Sequence, residues 1–382
     1  MFELVAVPAG ILLVVLLAGY LTWLDLGHQA VTGSSPRPLE DWPRVDVIVP
    51  VHNEAEWMEA KLQNLSELRY PPGGLKIWIV DGASSDATAK IAAAWIRNDA
   101  RLELLQLSVA NKIAQLNAAL ERSAGKWVMV TDADARLGPD TLTTLVAVGE
   151  ADAEVVAVGA TVEPARAHTL ERLHWQITNR LRQQESRRGC ASIVTGPCYL
   201  FRRTLLPAFP KDVVADDIHV ALAGAASGRR VSFVAETVTE LRAPTRLADL
   251  FQHKVRKADA YLREIFRFLP RIGAMASPAR EVFLWRAAHL LVAPTLAAMT
   301  LIGLGGWLST GVLGLSQLPA AAAGAVLTGG AWIHRRYVSM FLLELALGTF
   351  LTGVLLTALV AYPFSQQTAR YPKVASAVKP RS

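Results

Sequence analysis

Apolar residues are spread along this chain in two different ways. At both ends they form unbroken runs. Residues 4–24, "LVAVPAGILLVVLLAGYLTWL", contain no charge, and about twenty such residues in a helix cross the hydrocarbon core of a bilayer. Near the other end, three more runs can be read, at about 285–307, 309–333 and 338–361. The middle run is the weakest, because Ala and Gly contribute little transfer energy. No Lys or Arg precedes the first run, which is also longer than a signal-peptide core, so a retained anchor is expected rather than a cleaved leader.

Between these runs the pattern changes. "VDVIVPV" at 45–51 is short and β-branched. Polar residues follow it, then a helical spacing through Trp57, Leu62 and Leu65. "LKIWIVDGASSDATAKIAAAWI" and "GKWVMVTDADARLGPDTLTTLVAVG" repeat the unit, and "AEVVAVGATV" adds a strand. Apolar strands alternating with helices predict an α/β fold with a mostly parallel, Rossmann-like sheet covered on both faces. The domains expected are an N-terminal anchor over 1–30, a Pro-rich linker over 31–44 and the α/β domain over 45–240. An amphipathic helical region over 241–282, about three membrane helices over 283–362 and a basic tail over 363–382 follow.

In such sheets ligands bind beyond the carboxyl ends of the strands. Asn53 with Glu54, Asp81, and Asp132 with Asp134 all fall at predicted strand ends, and they come from three different strands. One crevice can therefore collect them. Two uncompensated carboxylates one residue apart repel each other. A hard divalent cation relieves this, since Mg²⁺ is usually held by one or two carboxylates plus substrate phosphates. The pair is accordingly expected to face solvent in a ligand-free structure, with no protein cation fully neutralising it.

Charge and cysteine content narrow the classes. The chain has 382 residues and a net charge of +6. From residue 283 onward it carries seven Lys/Arg against a single acid, Glu344, and the preceding residues balance. The excess therefore sits beside the apolar runs, where topology and anionic lipid account for it, and nucleic-acid binding is not expected. Arg335 and Arg336 lie between the last two runs, so the α/β domain is expected on the cytoplasmic side of a bacterial-type inner or plasma membrane. On the same count of spans the basic tail falls outside, against the rule. Cys190 and Cys198 suit two free thiols better than a disulfide framework or a zinc site.

Taken in order, the strand-end motifs resemble those of family 2 membrane glycosyltransferases of the GT-A (nucleotide-diphospho-sugar transferase) fold. "VIVPVHNE" resembles that family's opening nucleotide-binding strand and turn, which implies donor contacts at Pro50, Val51, Asn53 and Glu54. "VDGASSDAT" resembles the second motif, usually two adjacent aspartates. Here Gly82 takes the second place and Asp81 is left as the contact to the base. "NKIAQLNAAL" resembles a K-x-x-A-L-N helix, with Lys112 and Asn117 at the matching places. "TDADA" matches the D-x-D metal motif, which implies Mg²⁺ or Mn²⁺ held by Asp134 and Asp132, with Asp132 also near the ribose. "TGPCYLFRR" resembles an acceptor-side loop through Gly196, Pro197 and Cys198. "ADDIHVAL" resembles the acidic pair that carries the catalytic base, Asp217, with Asp216 beside it. The same "DD" also suits a helix N-terminus, where acids favour the dipole.

The last motif is less regular. In "RLADLFQHKVRKADAYLREIFRFL", Phe251, Val255, Ala258, Leu262, Ile265 and Leu269 form a 4-3-4-3-4 stripe on an otherwise basic helix. That suits either a membrane interface or a surface helix packed on the core. Arg256 matches the diphosphate-binding Arg of the family's Q-x-x-R-W segment, but His253 replaces the Gln and Lys257 the Trp. The loss of that Trp speaks against processive polymerisation. Trp175, on the Arg-rich stretch 168–188, is a candidate sugar platform or simply a packing residue.

The resemblance implies an inverting transfer from a nucleotide sugar, UDP-linked by the family's habit, to a lipid or lipid-linked glycan at the membrane. The alternatives are a processive polysaccharide synthase, a catalytically silent sugar-nucleotide-binding membrane protein, and a nucleotidyltransferase on a related fold. The last would want a Gly-rich start with a basic residue, which "PVHNE" lacks.

Overall fold

The computed structural model describes residues 3–26, 39–310 and 338–365. Its chain divides into two compact units. One contains the apolar helices, and the other contains the sheet.

In the first unit lie α1 (Glu3–Leu26), the 254–259 stretch and the described residues from 284 to 365. Within it, Tyr20 of α1 is buried, its ring centroid 5.7 Å from that of Trp285 and 5.0 Å from that of His289.

In the second unit the chain alternates strand and helix: β1 (Val45–Val51), α2 (Ala55–Ser66), β2 (Leu75–Gly82), α3 (Thr88–Ile96), β3 (Leu102–Leu107), α4 (Lys112–Leu120) and β4 (Trp127–Thr131). A short β5 (Ala135–Arg136), α5 (Thr141–Ala151), β6 (Val155–Pro164), α6 (Thr169–Arg187), β7 (Cys198–Arg202), α7 (Asp216–Ala226) and β8 (Arg230–Glu240) complete the sheet. The strands form one sheet in the order β3-β2-β1-β4-β7-β6-β8-β5. The first four pair in parallel. Every residue of β1 and of β4 is buried, as strands covered on both faces must be, and both runs are correspondingly rich in Val and Ile or Met.

Beyond β4 the sheet becomes mixed, because β7 runs antiparallel between β4 and β6. The resemblance to an acceptor-side loop over 195–203 holds only in part. Cys198 opens a central strand, and only Thr195–Pro197 form the turn before it. "CYLFR" is buried along four of its five residues and so takes a ladder position.

α8 (Leu247–Phe268) contributes to both units. Its buried apolar residues are Leu250, Ala258, Ala260, Leu262, Ile265 and Phe268, whereas Leu269 is exposed. The buried stripe is thus displaced at its ends from the expected one, and Leu247, Phe266 and Leu269 stay exposed. The true stripe passes through Lys254 and beside Glu264, both buried, and their charges hide it from a hydropathy pattern.

α9 (Ala279–Leu291), α10 (Ala293–Thr310) and α11 (Val338–Ala361) follow. Among the described residues, three segments are long and apolar enough to cross a membrane: Ala6–Asp25, Ala279–Gly303 and Leu343–Phe364. The second is broken between α9 and α10, where Pro294 cannot supply a backbone donor. The expected 309–333 span and the basic tail fall almost wholly outside the described residues.

Candidate active site

The acid turn starts where β4 stops. Thr131 is the last residue of that strand, and Asp132 to Asp134 follow. The turn is pinned from three sides. Asp132 donates its backbone N–H to Pro197 O at 3.3 Å, and Ala135 donates back to Asp132 O at 3.2 Å. Leu241, just past β8, donates to Asp134 O at 2.8 Å. Beneath the turn lies Lys61 of α2, only 2% exposed. Its ammonium donates to Thr131 Oγ1 at 2.8 Å and to Ala135 O at 2.7 Å. The bonded residues flank the acid segment on either side. Thr131 Oγ1 in turn donates to Pro197 O at 2.9 Å.

The second acidic pair arrives on the first turn of α7. Asp216 is buried. Its Oδ2 accepts from the Tyr199 hydroxyl at 2.6 Å and lies 3.2 Å from Lys112 Nζ. The same ammonium is 3.0 Å from Asp132 Oδ1, so Lys112 bridges the two acidic segments. Asp217 is half-buried; its Oδ1 accepts from the Ile218 N–H at 2.9 Å. Gly196 lies close to both segments. A methyl group there would lie 3.5 Å from Asp217 Oδ2 and 3.9 Å from Asp132 Oδ2. The structure therefore brings Asp132, Asp134, Asp216, Asp217, Lys112 and the 195–197 turn together from distant parts of the chain.

The other expected residues divide. Pro50 and Val51 are the buried end of β1, and Val51 O accepts from Gln115 Nε2 at 2.8 Å. Asn53 adopts a left-handed φ of 52°, and its side-chain oxygen accepts from Ser85 N at 2.7 Å and Asp86 N at 3.3 Å. It thus ties the β1 turn to the β2 turn. Asn117 likewise works on the protein, exchanging two hydrogen bonds with the Phe209 backbone. Asp81 is buried; one oxygen accepts from Ser84 N at 3.3 Å while the other finds no partner. A buried unpaired carboxylate oxygen is costly, and a ligand donor would relieve it. Cys198 is free and buried, its thiol pushed up to about 12, first by burial. Arg256 belongs to the first unit. Trp175 is buried with the Arg182 guanidinium 5.4 Å over its ring, which fits packing rather than a sugar platform.

Gly82, the departure from two adjacent acids, also has a structural reason. A Cβ there would lie 2.9 Å from Gln115 Cδ and Nε2. Gln115 fills that space to bind the carbonyls of Val51 and Val80. Two further non-glycine residues adopt left-handed φ, Ala83 at 55° and Thr195 at 66°. Together with Asn53 they place strain at three turns of the site. For the β-branched Thr195 this is costly, and a hydrogen bond from its Oγ1 to Ala160 O at 2.8 Å holds it.

Electrostatics correct one expectation. The acid pair faces solvent only in part, the Asp132 and Asp134 side chains being 33% and 20% exposed, and protein cations stand beside both. Lys112 pairs with Asp132. Arg242, gripped through both terminal nitrogens by Glu54, holds its Nε 3.7 Å from Asp134 Oδ2. Even so, Asp134 is raised to about 6, first by burial and then by Asp132, against the opposing pull of Arg242. Burial lowers Lys61 to about 8, although Cys198 and both acids act to raise it. Glu54, Asp132, Asp134, Asp216 and Asp217 gather here with Lys61, Lys112 and Arg242, five carboxylates against three cations. Among the described residues no three His, Cys, Asp or Glu side chains cluster to hold a metal unaided. Two hard carboxylates with surplus charge fit a divalent cation that completes its shell on a ligand.

Lys61, Tyr199 and Arg242 were missed from sequence. A lysine inside a helical pattern and a tyrosine in an apolar run carry no local signal of function. Arg242 gains its place only from the pairing of β8 with β5.

Comparison with known proteins agrees with this geometry. Residues 46–208 match the glycosyl transferase family 2 profile. An N-acetylglucosaminyltransferase from Mesorhizobium japonicum is 28% identical over 254 residues, covering 61% of this chain and 59% of the relative. The chain therefore spans less than two thirds of that relative. A beta-monoglucosyldiacylglycerol synthase from Trichormus variabilis is 30% identical over 136 residues, 34% of this chain and 29% of its own. A mannosyltransferase from Pyrobaculum calidifontis, solved with GDP-Man and Mn²⁺, superposes with a TM-score of 0.74 at 25% identity, covering 96% of this chain and all of that one. With the acidic turn at the end of β4, the parallel half-sheet behind it and the profile match across both, the chain carries a glycosyl transferase family 2 domain with a GT-A-like α/β fold.

Proposed function

We propose that the protein transfers a sugar from a nucleotide-diphospho-sugar to an acceptor hydroxyl in a single displacement that inverts the anomeric carbon. The observation that carries this reading is that Asp132 of the acid turn and Asp217 both come within 4 Å of the same point, a Cβ built on Gly196. Asp132 and Asp134 would hold Mg²⁺ or Mn²⁺. When bound, the cation supplies charge neutralisation to the leaving diphosphate. Asp217 is the general base. As the acceptor oxygen bonds to the anomeric carbon, its proton passes to Asp217, and the departing diphosphate keeps the electron pair of the broken C–O bond. Asp216 is held by Tyr199 and Lys112 and keeps the start of α7 in place. Asp81 offers its unpaired oxygen to an N–H of the nucleotide base.

The acceptor we propose is a lipid or a lipid-linked glycan. Three apolar segments of membrane-spanning length among the described residues support this, as does the relative named for a glycolipid product. The sugars suggested by relatives are N-acetylglucosamine and mannose. The domain would lie on the cytoplasmic side, in line with the basic residues Arg335 and Arg336.

The test is release of nucleoside diphosphate by the purified full chain from UDP-N-acetylglucosamine and GDP-mannose, with and without EDTA. Metal-dependent release that Asp217→Asn abolishes is the expected result. Turnover in EDTA, or normal turnover by Asp217→Asn, overturns the mechanism.

A further inference from the structure

Arg242 lies outside every motif that marks the site, yet it stands closest to Asp134 of the cations named above. Its guanidinium is not a mobile surface charge. Both terminal nitrogens donate to the two oxygens of Glu54, which stands at the N-terminus of α2. The Trp57 ring centroid lies 5.7 Å from the guanidinium carbon. The backbone fixes its position as well. Ala135 pairs with Glu240, and Leu241 N donates to Asp134 O at 2.8 Å, so residue 242 must emerge beside the acid turn. Only Nε is directed at Asp134, at 3.7 Å. That is a charge contact without hydrogen-bond length, so it compensates the carboxylate without closing it off.

We propose that Arg242 is an electrostatic gate on cation binding, a positioning residue that acts through Asp134. In the donor-free protein its charge, oriented by Glu54, offsets the acid turn and keeps the affinity for a divalent cation low. A nucleoside diphosphate restores the negative charge that Arg242 cancels, so cation and donor bind cooperatively. Such coupling is reciprocal: whatever factor the diphosphate adds to cation affinity, the cation adds to diphosphate affinity. The fork also has a physical reason to be arginine, since a planar guanidinium can hold Glu54 by two nitrogens and still present the third to Asp134.

This inference rests on the reading of Asp132 and Asp134 as metal ligands, and the experiment separates the two. Mn²⁺ binding to the full-length protein is measured by electron paramagnetic resonance, with and without saturating UDP or GDP. Saturable binding by the parent that tightens with the diphosphate is required by the metal reading. Its absence from the parent removes that reading and this one together. Given parent binding, Arg242→Gln should bind Mn²⁺ at least fivefold more tightly without diphosphate and gain less when diphosphate is added. Arg242→Lys keeps the charge and should stay within about twofold of the parent. Glu54→Gln frees the guanidinium to act on Asp134 alone and should weaken donor-free binding. A guanidinium that merely braced the turns would lower the melting temperature of Arg242→Gln without tightening Mn²⁺. Equal or weaker binding by the folded Arg242→Gln protein overturns the gate. If that variant does not fold, unchanged or tighter binding by Glu54→Gln overturns it, and weakened binding supports it.

Discussion

The Tyr199 hydroxyl donates to Asp216 Oδ2 at 2.6 Å, and this bond separates two adjacent carboxylates that look equivalent in sequence. Asp216 is buried and shared between Tyr199 and Lys112; Asp217, the next residue, is half-buried and reaches towards Gly196. We expect Asp217→Asn to lower kcat by about 10²- to 10⁴-fold, the usual worth of a positioned general base, with the melting temperature little changed. Tyr199→Phe should act on stability instead, by about 1–3 kcal/mol, because a buried carboxylate loses a donor. Steady-state kinetics and thermal unfolding of both variants check the division.

Gly196→Ala tests the space beside the acid turn and the proposed base. The added methyl would meet Asp217 and Asp132 at 3.5 and 3.9 Å, which is ordinary contact and permits folding. It would still fill the gap into which reacting atoms must fit. The expected outcome is an unchanged melting temperature with kcat/KM reduced at least tenfold. Normal kinetics would show that the reaction occurs elsewhere.

Lys61 makes stability depend on pH in an unusual direction. Burial lowers its folded pKa to about 8, below the 10.5 of the unfolded chain. Between these values the unfolded state binds the extra proton, so this residue's contribution to stability rises as pH rises. Below about pH 8 the full cost of burying the charge is present. Lys61→Met removes that dependence. The stability difference between parent and variant should therefore move in the parent's favour from pH 8 to 10.5, by up to about 3 kcal/mol. Unfolding midpoints across that range provide the measurement; a flat difference would mean that Lys61 titrates normally.

Gly82 and Gln115 should be coupled. Gly82→Ala alone forces its Cβ to within 2.9 Å of the Gln115 amide and should destabilise the fold. Gln115→Ala alone strands the carbonyls of Val51 and Val80. In the double variant the clash disappears, so the combined cost should fall below the sum by about 1–2 kcal/mol. An additive cycle would contradict the shared-space account.

How much of this was legible in the sequence follows from range. The buried runs 45–51 and 127–131 read as strands because a two-sided parallel strand is apolar throughout. The acids past their ends read as a site because sheets of this kind bind ligands there. β7 was hidden because "CYLFR" can pair only with strands far away in sequence, β4 on one side and β6 on the other. The stripe on α8 was misplaced because Lys254 and Glu264 are buried within it, Glu264 opposite His219 at 2.8 Å. Hydropathy assigns such residues to water.

By itself the sequence determined the alternation of strand and helix, the apolar ends and the identities of the acids, since these depend on local propensity and on periodicity. Tertiary structure alone decided how their charge is held. Lys61 stands beneath the acid turn, Lys112 between Asp132 and Asp216, and Arg242 beside Asp134. The three cations come from α2, α4 and the segment after β8. Electrostatic compensation depends on distance in space, and no spacing along the chain records it.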